Sequence, residues 1–79
     1  MSQFIKLPDG VIRKDLIKRV KKYEKEQYTG GTYFGIKIET EKGEITYEEY
    51  GRNYYAGDNS ISNAEKKRDE LFSLVTSQL

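Results

Sequence analysis

Polar and apolar residues alternate along residues 32–40. Phe34, Ile36 and Ile38 share one face, and Tyr33, Gly35, Lys37 and Glu39 share the other. A period of two, rich in β-branched and aromatic residues, predicts a half-buried strand. Glu41-Lys42-Gly43 supplies a turn. The alternation then resumes from Glu44 to about Tyr50, with Ile45 and Tyr47 inward and Thr46, Glu48 and Tyr50 outward. Near the start, the run Phe4-Ile5-Lys6-Leu7 is followed by Pro8-Asp9-Gly10 and then Val11-Ile12. Proline presets φ for a turn, Asp suits the next position and Gly accepts positive φ, so this segment predicts a hairpin.

The spacing changes in the last third. Ala64, Arg68, Leu71, Phe72, Val75 and Leu79 fall on one helical face, whose apolar character only Arg68 interrupts. Ser62-Asn63-Ala64-Glu65 matches a capping box, which predicts a helix opening at Ser62. Residues 51–60 read as a loop bearing two adjacent tyrosines, and Tyr28-Thr29-Gly30-Gly31 reads as a turn.

Residues 13–27 fit two patterns. Leu16, Ile17, Val20, Tyr23 and Gln27 recur at helical spacing. A tight turn at residues 14–17 followed by a strand from about Lys18 to Lys25 also fits, with Val20 on one face and Arg19, Lys21 and Tyr23 on the other. Periodicity alone favours the helix. A meander needs a neighbour for residues 32–40, and that favours the strand.

The expected fold is α+β: a three- to four-stranded antiparallel sheet, made of an N-terminal hairpin plus a meander, with the C-terminal amphipathic helix packed on one face. A chain of 79 residues makes one domain, residues 1–79. So short a chain needs a compact core or one completed by a second copy, which leaves a homodimer open.

Composition narrows the chemistry. There is no Cys and no His. Disulfides, thiolate metal sites, Cys nucleophiles and the usual general base are therefore all excluded. Glycine-rich phosphate loops and nucleophile-elbow motifs are absent, and no Asp-rich loop has calcium spacing. Catalysis, a cofactor and a bound metal are all poor fits. No apolar run reaches the roughly 18 residues of a membrane span. The expected setting is a reducing cytoplasm, without a membrane.

Charge is sorted by position. Residues 1–25 hold eight Lys/Arg against three acids, whereas residues 26–50 hold two Lys against six Glu. The basic segment sets up one candidate site, Lys18, Arg19, Lys21 and Tyr23, a platform of cations and an aromatic ring for a nucleic acid or nucleotide. Against it stands the simpler reading of a solvated face. Glu39, Glu41, Glu44, Glu48 and Glu49 have an equally simple reading as cross-strand partners of those cations. The seven tyrosines set up a second candidate, Tyr50, Tyr54 and Tyr55 with Arg52 beside them, because exposed tyrosine offers large contact area at low entropic cost. That set points to a protein partner.

The order of the hairpin Phe4–Ile12, the apolar pair Leu16-Ile17, the alternating segment Thr32–Tyr50 and the last helix opening Ser62-x2-Glu65 resembles small α+β proteins encoded by phages and mobile elements. The resemblance implies a stand-alone, non-enzymatic binding protein. Inhibitors of host defence, including those of CRISPR-type immune nucleases, are a sizeable class among such proteins. For a phage protein the setting would be the host cytoplasm. The resemblance transfers no functional residue.

Overall fold

A computed structural model describes residues 3–79 of the chain. The elements run β1 (Phe4–Leu7), β2 (Gly10–Arg13), a 3-10 turn (Lys14–Leu16), β3 (Ile17–Glu26), β4 (Thr32–Thr40), β5 (Gly43–Gly51) and α1 (Ser60–Ser77). The fold is α+β. β1 and β2 form a two-stranded antiparallel sheet; β3, β4 and β5 form a three-stranded antiparallel meander with β4 in the centre. Helix α1 packs on one face of the meander and also touches β1.

Segment 13–27 is a strand preceded by a tight turn. Its helical spacing has a local cause. Ile17 pairs with Thr40 and Arg19 with Glu39, so Lys18 is an extra residue, a bulge in β3. The bulge shifts the phase of the alternation. Ile17 and Val20, three residues apart, therefore both pack against the core.

Ile5, Ile36, Ile38 and Val75 form the fully buried core, flanked by Leu7, Ile12, Ile17, Val20, Ile45, Tyr47, Leu71 and Phe72. Phe34 and Ala64 are buried as well. The hairpin closes one end of this layer, where the Tyr47 hydroxyl donates to the carboxylate of Asp9 in the β1–β2 turn at 2.5 Å. Gln78 closes the outer edge of β1. Its Oε1 accepts from the Lys6 amide at 2.8 Å, and its Nε2 donates to the Lys6 carbonyl at 3.1 Å.

Two details of the helix differ from the sequence pattern. α1 begins at Ser60, two residues before Ser62, and the capping box does not form. The loop caps the helix instead: the Ile61 amide donates to Asn53 Oδ1 at 3.1 Å. At the far end Leu79 lies beyond the helix and is half exposed, so the buried stripe ends at Val75. Arg68, the polar break in the stripe, is buried; its Nη1 donates to the Tyr23 carbonyl at 3.0 Å and its guanidinium lies over the Phe34 ring.

Candidate functional site

Three of the four residues of the tyrosine-centred set meet at one place. Tyr50, Arg52 and Tyr54 line an open cleft of about 460 Å³ between the end of β5, the loop at residues 52–59 and the first turns of α1. Glu49, Asp58, Asn59, Ser60, Asn63, Ala64 and Lys67 complete the lining. Tyr55 is not part of the wall. It stands on the loop, with most of its surface in solvent.

The spacing of β5 and α1 beside the cleft depends on a missing side chain. Gly51 ends β5 beneath the helix, where an added Cβ would meet the Ile61 Cα and the Ser60 carbonyl oxygen at 2.7 Å each. Both are backbone atoms and neither can rotate aside. Gly51 thus sets how closely α1 approaches β5, and with it the width of the cleft.

The wall is tied from within. Asp58 Oδ2 accepts from the Tyr54 and Tyr55 amides, both at 2.8 Å, and the Asp58 amide donates to the Tyr55 carbonyl at 3.1 Å. Ser60 Oγ accepts from the Arg52 amide at 3.1 Å. These bonds and the Asn53 cap fasten both ends of a loop that has no regular structure of its own, so Tyr54 and Tyr55 project from a braced backbone. The Arg52 guanidinium lies 5.0 Å from the centre of the Tyr54 ring, within the range of cation–π attraction. Tyr50 is held from the other side by Tyr33, with ring centres 4.8 Å apart and planes tilted by 50°.

The basic set behaves differently. It lies on the face of the meander away from α1, and acidic neighbours meet most of it. Arg19 Nε donates to Glu39 Oε2 at 3.0 Å, and Lys21 Nζ lies 3.1 Å from Glu39 Oε1. These two cations hold the Glu39 carboxyl down at about 2, chiefly through the hydrogen bond from Arg19. The Tyr23 hydroxyl donates to Glu48 Oε2 at 2.6 Å. Desolvation first, and that hydrogen bond second, push the Tyr23 hydroxyl well above the usual tyrosine range. Lys25 and Lys37 add longer pairs, both at 3.8 Å, to Glu48 and Glu44. Of the three cations in the set, Lys18 at the bulge is exposed and makes no ion pair among the described residues.

Asn63, Lys67 and Asp58 are cleft residues that reading the sequence passed over. Ser60, Asn63 and Lys67 follow one another at helical spacing, a signal hidden while the helix was expected to open at Ser62. Among the described residues no group of three or more acidic, His or Cys side chains could hold a metal ion, and no helix is long and apolar enough to cross a membrane. Comparison of this chain with protein-family models, with curated proteins and with solved structures gave no match.

Proposed function

We propose that this chain is a non-enzymatic binding module that recognises a protein partner through the cleft at residues 50–67 and blocks or modulates it by occupancy. One observation carries the reading: Tyr50, Arg52 and Tyr54 converge on one open, braced cleft. Bracing matters because a loop already ordered before contact loses less entropy on binding. Aromatic and Arg side chains at the rim are the residue types that dominate binding energy at protein interfaces. The resemblance to phage and mobile-element proteins supports a partner from host defence, and a CRISPR-type immune nuclease is the class we propose.

The alternative, a nucleic-acid or nucleotide site at Lys18, Arg19, Lys21 and Tyr23, has weaker support. Glu39 and Glu48 occupy three of its four polar groups. A phosphate would have to displace those carboxylates.

The test is capture by the tagged chain from native host lysate, read by mass spectrometry, beside a Tyr54→Ala/Tyr55→Ala variant and a Lys21→Ala/Lys25→Ala variant. The expected result is one partner lost from the tyrosine variant and kept by the lysine variant, with both variants folded. Equal retention by the tyrosine variant would place the interface elsewhere. A gel shift with single-stranded DNA or RNA that fades steeply as salt rises would favour the alternative instead.

A further inference from the structure

Seven of the fourteen Lys/Arg side chains pair with an acid among the described residues. Arg19 and Lys21 share Glu39, Lys22 and Arg68 share Asp69, Lys25 meets Glu48, Lys37 meets Glu44 and Arg13 meets Asp15. The cleft holds two of the others. Arg52 and Lys67 line it together with Glu49 and Asp58, yet among the described residues neither cation lies within 4.0 Å of a carboxylate oxygen. Asp58 is turned inward, where its Oδ2 already accepts from two backbone amides.

Arg52 is held in a way that suits a planar anion. Its guanidinium lies over the Tyr54 ring, and its side chain makes no hydrogen bond among the described residues. With none of its N–H groups so engaged, the guanidinium can meet a carboxylate with two parallel hydrogen bonds. Lys67 supplies a second, mobile positive charge from the helix side of the same cleft.

From this we infer that the cleft takes a side-chain carboxylate, Asp or Glu, from an acidic segment of its protein partner, with Arg52 as the planar receptor and Lys67 as the supporting charge. The inference rests on the reading of the cleft as the partner-binding site. A polyanion such as nucleic acid is disfavoured there, because Glu49 and Asp58 cancel the two cations in formal charge and would repel a row of phosphates. A lone carboxylate flanked by apolar atoms meets the fork of Arg52 and the rings of Tyr50 and Tyr54 instead.

The test uses isotope-labelled protein and amide NMR at fixed ionic strength. The probes are a capped Glu-Phe-Glu peptide, its Gln-Phe-Gln counterpart and a ten-residue oligothymidylate. The Glu peptide is expected to shift the amides of residues 52–55 and 60–63 saturably. The Gln peptide, and the Arg52→Ala or Lys67→Ala variants with the Glu peptide, should each bind about tenfold more weakly, the loss expected for one charge-assisted contact. Arg52→Lys should recover only part of the loss, since the planar fork is gone. Glu49→Gln should bind the Glu peptide more tightly, by about twofold or more, because a like charge is removed. Equal affinity for the Glu and Gln peptides at the cleft would overturn the carboxylate claim and leave the cleft as a partner site. If neither peptide moves the cleft amides, the carboxylate claim is overturned, and the partner site stands or falls by the capture experiment with the tyrosine variant. Oligothymidylate acting on the same amides at lower concentration than the Glu peptide would overturn the inference in favour of nucleic acid.

Discussion

The guanidinium of Arg68 reaches from the middle of α1 to the backbone carbonyl of Tyr23 on the edge strand β3, at 3.0 Å. The same group bonds Asp69 through Nε at 2.8 Å and covers the ring of Phe34. Helix, strand edge and core aromatic are thus joined by one side chain, which is 7% exposed. Arg68→Met keeps much of the stem and removes the hydrogen bonds. It should lower stability by about 1–3 kcal/mol, the cost of leaving a shielded acceptor unpaired. For a domain of this size that is a fall of roughly 5 °C or more in the thermal midpoint. A circular-dichroism melt unchanged within a degree would show that the contact adds nothing.

Ile36 sits fully buried in the central strand. Ile36→Ala should cost about 2–5 kcal/mol through lost burial and the cavity left behind. Phe72, half-buried beneath Lys22, should cost less, because its ring already meets solvent on one side. Equal losses from the two alanine variants in urea titrations would mean that the core is centred nearer the helix than the buried residues indicate.

Gly51→Ala tests the cleft without touching its wall. The added methyl has backbone atoms on two sides, so α1 must move away from β5. The expected outcome is a lower melting midpoint together with weaker partner binding. Tyr54→Ala should weaken binding alone. A Gly51→Ala variant that melts and binds as the parent does would contradict the close approach seen here.

Glu39 shapes the acid end of the pH profile, and Tyr47, together with Tyr23, shapes the alkaline end. The Glu39 carboxyl is held at about 2 in the folded state by Arg19 and Lys21, so it favours folding at pH values above the ordinary carboxylate range. That contribution is lost as pH falls from the ordinary range toward 2. Tyr47 moves the other way. Desolvation first, then its bond to Asp9, raise its hydroxyl to about 12. Its contribution is complete below the ordinary tyrosine value near 10 and disappears as pH rises from there through about 12. Glu39→Gln should flatten the acid limb, and Tyr47→Phe the alkaline limb, of stability followed by fluorescence. An acid limb as steep in Glu39→Gln as in the parent would rule Glu39 out as its source.

The Asp58 carboxylate should matter to the loop more than to the fold. Asp58→Ala frees the Tyr54 and Tyr55 amides, which should then exchange with solvent faster in hydrogen-exchange measurements. Partner affinity should fall even though neither tyrosine has changed. Unaltered exchange at both amides would show that the brace lies elsewhere.

The meander and the hairpin were legible because their signals are local: strict alternation around Ile36 and the Pro8-Asp9-Gly10 turn. The third strand was ambiguous for a physical reason. The bulge at Lys18 puts Ile17 and Val20 on the same side, and a spacing of three looks helical until a pairing partner is known. The helix start was misplaced because Ser62 and Glu65 form a plausible cap in sequence. The cap in use comes from Asn53, eight residues before Ile61, and no short motif records a contact of that span. The tyrosines and the Arg52 beside them were visible as one set; that Tyr50, Arg52 and Tyr54 line a single cleft while Tyr55 stands outside it was not. That convergence depends on the fold of the loop around Asp58 and on Lys67 arriving from the helix.

Lys6 and Gln78 lie 72 positions apart, yet one amide side chain answers both backbone groups of Lys6 as a neighbouring strand would. The outward amide and carbonyl of Lys6 are therefore satisfied only when the end of α1 has docked Gln78 against β1. Without that contact the amide and carbonyl of Lys6 are open to another extended chain. Fusing a rigid tag directly behind residue 79 would strain this latch. Such preparations should clump during refolding, where a flexible spacer at the same junction would keep them single.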